Sequence, residues 1–87
     1  MESKLQRRII DDLIEKHGAY VYKSIVGNKP GHPDITVFMS KAKCFFIEVK
    51  DAGEEASALQ LHRHNELRER GFKVYLIDNW EDYKQIW

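Results

Sequence analysis

Asp34, Glu48 and Lys50 stand within the two most apolar stretches of the chain, DITVFMS (34–40) and CFFIEVK (44–50). Carboxylates and an ammonium inside such strands are costly unless something pairs with them. A turn over Ser40–Ala42, centred on Lys41, would fold the two stretches into an antiparallel hairpin with Asp34 directly opposite Glu48. Opposed side chains in such a pair have Cβ atoms about 4.5–5.5 Å apart. Two carboxylates at that distance repel, and Lys50 supplies only one positive charge. A divalent cation would supply two. An all-oxygen donor set favours Mg2+ or Mn2+ over zinc, and no Cys/His cluster with zinc spacing is present. The chemistry open to such a group is cation-assisted hydrolysis, in which a coordinated water is acidified and an anionic oxygen polarised.

The pairing depends on alternation. In this register Ile35, Val37, Met39, Phe45, Ile47 and Val49 share one face, all apolar. Asp34, Thr36, Phe38, Cys44, Phe46, Glu48 and Lys50 share the other, which has an apolar centre and a charged end. Flanking elements supply neighbours. Residues 3–16 read as a helix with a stripe at Leu5, Ile9 and Leu13, widened by Ile10 and Ile14, and with Ser3 and Gln6 as a capping box. Glu2 falls three residues before Leu5, toward the protein body. AYVYKSIV (19–26) reads as a strand and GNKPGHP (27–33) as a loop. A second helix runs from a Ser57 cap to about Arg70 and ends at Gly71. Gln60 shares its inward face with Leu67, or serves as the capping-box partner of Ser57. FKVYLID (72–78) is a strand, and NWEDYKQIW closes the chain as a short helix capped by Asn79. The order α-β-β-β-α-β-α, with a helix crossing between the third and fourth strands, predicts an α/β fold with a mixed central sheet flanked by helices.

Pro33–Asp34, a gap of thirteen residues and then Glu48-Val49-Lys50 resemble the PD-(D/E)xK nuclease superfamily, whose fold is restriction-endonuclease-like. With Gly31 before them, and Gln60, Leu67 and Gly71 after, the chain more narrowly resembles the VRR-NUC family, in its small stand-alone phage form. The Val-Arg-Arg string of that family's name is not evident. The resemblance implies a metal-dependent endonuclease cutting structured or branched DNA, such as Holliday junctions, as a homodimer. It places metal ligands at Glu2, Asp34, Glu48 and the carbonyl of Val49, a catalytic lysine at Lys50 and the helix glutamine at Gln60. The competing reading is a non-catalytic nucleic-acid-binding or assembly module that keeps the fold. The joint presence of Asp34, Glu48 and Lys50 weighs against it.

At 87 residues the chain is read as one domain, residues 1–87. Its net charge of zero argues against a generic nucleic-acid coat. Residues 23–50 nevertheless hold five lysines against Asp34 and Glu48. Lys23, Lys29, Lys41 and Lys43 are therefore candidates for phosphate contacts beside the site, with His32 of the loop. His62 and His64 read as surface residues of a helix. Cys44 reads as a small core residue, and one cysteine cannot form an internal disulfide. Trp80, Tyr83 and Trp87 form a stripe expected to pack on the domain, with a dimer contact as second choice. No apolar run suits a membrane span, and MESKLQRR has no secretory pattern, so a cytoplasmic location is expected, in a host cell if phage-encoded.

Overall fold

The computed structural model describes residues 2–25 and 27–87. Its elements follow the expected order: α1 (Lys4–Glu15), β1 (Tyr20–Lys23), β2 (Ile35–Phe38), β3 (Cys44–Val49), α2 (Ala58–Glu69), β4 (Lys73–Ile77) and α3 (Trp80–Lys84). The four strands form one sheet in the order β1-β2-β3-β4. The first two pairings are antiparallel and β3 pairs parallel with β4 across the α2 crossover.

The hairpin register is the expected one. Ile35 pairs with Ile47, Thr36 with Phe46 and Phe38 with Cys44. Met39 N–H donates to the Lys43 carbonyl at 2.8 Å, closing the turn over Ser40–Ala42. Lys41 and Ala42 both adopt positive φ, 62° and 60°, without being glycine.

Helices cover both faces. Ile9, Ile10 and Leu13 of α1 and Tyr83 of α3 pack with Ile35, Val37, Ile47 and Ile77 in the core. Ile14 is exposed and Gln6 takes its place among the buried residues of α1. Tyr83 is buried and donates its hydroxyl to Asp12 Oδ2 at 2.7 Å, tying α3 to α1. Trp80 lies under the Arg8 guanidinium, and Trp87 stacks on His17. The aromatic stripe is thus spent largely within the chain. On the opposite face lie Thr36, Phe46, Glu48 and α2, whose one buried residue is His64.

The first strand is shorter than the expected 19–26. Val26 lies outside the described residues, and Ile25 is exposed. The ladder ends one bond beyond the strand. Lys23 pairs with Ile35, and Ser24 N–H still reaches the Asp34 carbonyl at 2.8 Å.

Candidate active site

Pro33 opens the site. Continuing the β2–β3 register past Ile35 and Ile47 sets Asp34 opposite Glu48, then Pro33 opposite Val49. Val49 belongs to the series of residues whose N–H and C=O both face β2. Its N–H, lacking a strand partner, donates to the Asp34 carboxylate, 3.0 Å from Oδ2. Its carbonyl has no donor opposite it, because proline carries none. The strand therefore presents two carboxylates and an unpaired carbonyl at one end.

The two acids are not equivalent. Asp34 is half-buried, whereas Glu48 is only 1% exposed. Burial first, then the hydrogen bond and charge of Asp34, push the Glu48 carboxyl far above the usual carboxylate range; Lys50 pulls it back in part. Glu54, in the loop before α2, adds to the rise. The pair thus lacks positive charge, which is the condition a divalent cation relieves. Carboxylate and carbonyl oxygens suit Mg2+ or Mn2+. Among the described residues, no group of three or more His, Cys, Asp and Glu is arranged to hold an ion. A cation here would rest on Asp34, Glu48 and the Val49 carbonyl, with water completing its shell.

His64 is not where sequence reasoning placed it. Far from the surface, it is 0% exposed, and its Nε2 lies 3.3 Å from Glu48 Oε1. Distance alone would make this an ion pair. Burial, however, lowers the His64 pKa and raises that of Glu48, which disfavours the charged form of each and favours a hydrogen bond over an ion pair. Nε2 and Glu48 Oε1 share this hydrogen bond, and Nδ1 is buried with no partner among the described residues. A signal for this was present: Gln60, His64 and Leu67 fall at i, i+4 and i+7, one stripe of α2. His62 is exposed, as expected, beside Glu66.

The other expected residues divide. Lys50 sits on the face of the acids, its N–H in the ladder with Ile77. Gln60 completes both arms of the capping box, with Ser57 N–H donating to its Oε1 at 2.9 Å and its own N–H donating to Ser57 Oγ at 3.1 Å. It lies one turn before His64, with its amide NH2 outside those bonds.

Glu2 does not join the acids. Lys23 donates to Glu2 Oε2 at 3.0 Å, and Arg7 lies 3.5 Å from Oε1. Lys23 pairs with Ile35, so its side chain is on the α1 face of the sheet, opposite Asp34 and Glu48. The expected convergence of Glu2 with the other acids, and the expected free Lys23 beside them, are both replaced by this ion pair. Lys41 and Lys43 are exposed at the hairpin tip. They lie some five residues along the strand from Asp34, roughly 17 Å at 3.3–3.4 Å per residue, so they are not beside the site.

Lys29 and His32 are close to it. A groove lined by Tyr22, Ser24, Lys29, Gly31, His32 and Asp34 runs along the 27–33 loop and ends at the Asp34 carboxyl. The loop is held down by Arg63 Nε, which donates to the Pro30 carbonyl at 2.9 Å. Gly31 makes the approach possible. It adopts φ +86°, and a Cβ there would lie 3.0 Å from the Leu59 carbonyl oxygen.

Comparison with known proteins agrees with the fold. The family profile of the VRR-NUC domain matches residues 1–79. "Putative nuclease p44" of Acyrthosiphon pisum secondary endosymbiont phage 1 is 33% identical over 81 residues, covering 84% of this chain and 87% of that protein. A solved structure described as a VRR_NUC domain superposes with a TM-score of 0.80 at 25% identity, covering 92% of this chain and 87% of its own. With residues 1–79 matched by the family profile, the chain belongs to the VRR-NUC family.

Proposed function

We propose that the protein is a divalent-metal-dependent endodeoxyribonuclease that hydrolyses phosphodiester bonds in structured or branched DNA, junctions included, and that it works as a homodimer. The observation that carries this reading is the adjoining carboxyl pair of half-buried Asp34 and buried Glu48 beside the unpartnered carbonyl of Val49. When bound there, Mg2+ or Mn2+ would polarise a phosphoryl oxygen and acidify a water.

The chain's own groups do the rest. Asp34 and Glu48 hold the cation, and the hydrogen bond from His64 fixes which Glu48 oxygen is left to do so. Lys50, on the same face, orients the attacking water or stabilises the charge that develops on the phosphoryl group. The free amide NH2 of Gln60 donates to water or phosphate. Lys29 and His32 line the approach and bind phosphate. Glu2, held by Lys23, stands outside the proposed ligand set.

The test is cleavage of supercoiled plasmid and of a four-way junction with Mg2+, Mn2+ or chelator. The wild type should cut with either metal and not with chelator. Asp34→Ala and Lys50→Ala should bind DNA, remain folded and not cut. Cleavage retained by both variants, or by the chelated wild type, would overturn the assignment.

A further inference from the structure

We propose that the open half of the sheet, on the face of the acids, is a stacking platform for unpaired nucleotides. It would carry a single strand over Phe38, Tyr20 and Tyr22 to the Asp34–Glu48 pair. This rests on the nuclease reading of that site and names the form of nucleic acid the site takes.

The β1–β2 register sets Tyr20 opposite Phe38 and Tyr22 opposite Thr36, so these rings share a face with Asp34 and Glu48. The second helix packs over β4 and, through His64, over Glu48. The β1–β2 half of the face is left open. There Tyr20 is 71%, Tyr22 58% and Phe38 45% exposed, with the Tyr20 and Phe38 rings edge to face at 5.8 Å.

Three relationships select a nucleic-acid strand as the occupant. The first is continuity, because Tyr22 lines the same groove as Asp34, Lys29 and His32. The second is pitch: alternate residues of a strand are about 6.8 Å apart, so Tyr20, Tyr22 and the Ser24–Asp34 pair form a ladder with steps of nucleotide size. The third is charge. Lys29 stands at the Asp34 end and Lys41 at the hairpin tip, and neither β1 nor β2 carries an acid on this face, Asp34 lying one residue before β2. Rings for bases and cations for the backbone are the two components of single-strand binding, and stacking tolerates any base. A second copy of the chain fits less well. At roughly 150–250 Å2 per ring, three partly exposed rings supply about 350 Å2, under half of the roughly 800 Å2 per partner of a stable interface.

The test uses the Asp34→Ala protein, which is expected to bind without cutting, and duplexes that are blunt or carry a four-nucleotide overhang containing 2-aminopurine. The fluorophore in the overhang should be quenched on binding, and in the paired region it should not. Adding Tyr22→Ala or Tyr20→Ala should abolish the quench and weaken overhang binding about tenfold per ring, leaving blunt-duplex affinity unchanged. Tyr22→Phe, which keeps the ring, should restore both. Equal losses on the two duplexes, or none, would overturn the proposal. So would light scattering in which a wild-type dimer becomes monomeric with Tyr20→Ala and Phe38→Ala, since the face would then be a subunit contact. Plasmid nicking by the protein with Asp34 intact reports the nuclease reading separately. Its absence would sink that reading, whereas the quench stands or falls on the rings.

Discussion

His64 Nε2 lies 3.3 Å from Glu48 Oε1, and both side chains are sealed from solvent between α2 and the sheet. Glu48 thus has one oxygen committed to His64, and its carboxyl also meets that of Asp34. A carboxylate held in this way needs no reorganisation when a cation arrives, and partners behind metal ligands commonly contribute 10–100-fold in affinity.

His64→Leu should therefore weaken Mn2+ binding by about 10–100-fold, read by calorimetry on the folded variant. His64→Gln, whose amide can still donate, should recover most of it. Removal of the donor also leaves a buried acceptor unsatisfied, so His64→Leu should cost about 1–3 kcal/mol of stability. Unchanged Mn2+ affinity in His64→Leu would show that the contact packs α2 and does nothing for the ligand.

The chelated protein should show an unusual stability profile. In the folded state burial and then Asp34 raise the Glu48 pKa from 4.5 to about 8. Between those values the folded protein holds a proton that the unfolded chain has released, so stability falls as pH rises. His64 acts in the opposite sense: burial lowers its pKa from 6.5, so its contribution is lost as pH falls below that value. From about pH 6.5 to 8 Glu48 acts alone, removing at most about 1.4 kcal/mol per pH unit. The thermal midpoint in chelator should drop across this window, and Glu48→Gln should flatten the drop. A midpoint that rises there would contradict the assigned protonation.

The sheet and the acid pair were legible because local rules fix them. The number of turn residues sets the hairpin register, and alternation then assigns every face. His64 was not legible in the same way. The second helix has no apolar stripe; among its residues only His64 is buried, so hydrophobicity did not mark the inward side. The Gln60–His64–Leu67 spacing carried the information, but a histidine among charged neighbours reads as exposed. Glu2 failed for another reason. Its helix turn was right, yet which face of the sheet it meets depends on Lys23, a tertiary pairing 21 residues away.

Gln60 has two jobs that one substitution can separate. Its Oε1 closes the capping box on Ser57, and its amide NH2 is the proposed donor to water or phosphate. Gln60→Glu keeps an acceptor for the cap but removes the donor and adds a negative charge. Its thermal midpoint should match the wild type while cleavage falls at least about tenfold, the low end for loss of a placed donor. Gln60→Ala should lose cleavage and about 0.5–2 kcal/mol of stability together. Full cleavage by Gln60→Glu would confine the residue to its capping role.

The hairpin turn stores strain that can be released without touching the site. Lys41 and Ala42 both have positive φ, a region that costs a residue with a Cβ about 1–2 kcal/mol. Ala42→Gly should stabilise the protein by about 0.5–1 kcal/mol in denaturant melts, with metal binding unchanged. Destabilisation would mean that the turn does not adopt this conformation.

Two lysines of the basic segment should separate on salt dependence. Lys29 lines the groove that ends at Asp34, and its side chain is exposed. Lys29→Ala should weaken binding to all DNA and reduce the slope of log affinity against log salt by about one unit, the loss of a single phosphate contact. Lys23 is tied to Glu2 on the α1 face. Its replacement by alanine should leave the slope alone and cost at most about 1 kcal/mol of stability, as expected for a partly exposed ion pair. The two slopes, measured on one duplex between low and moderate salt, decide the matter. If Lys23→Ala lowers the slope and Lys29→Ala does not, the DNA approaches from the α1 face and the groove is not its path.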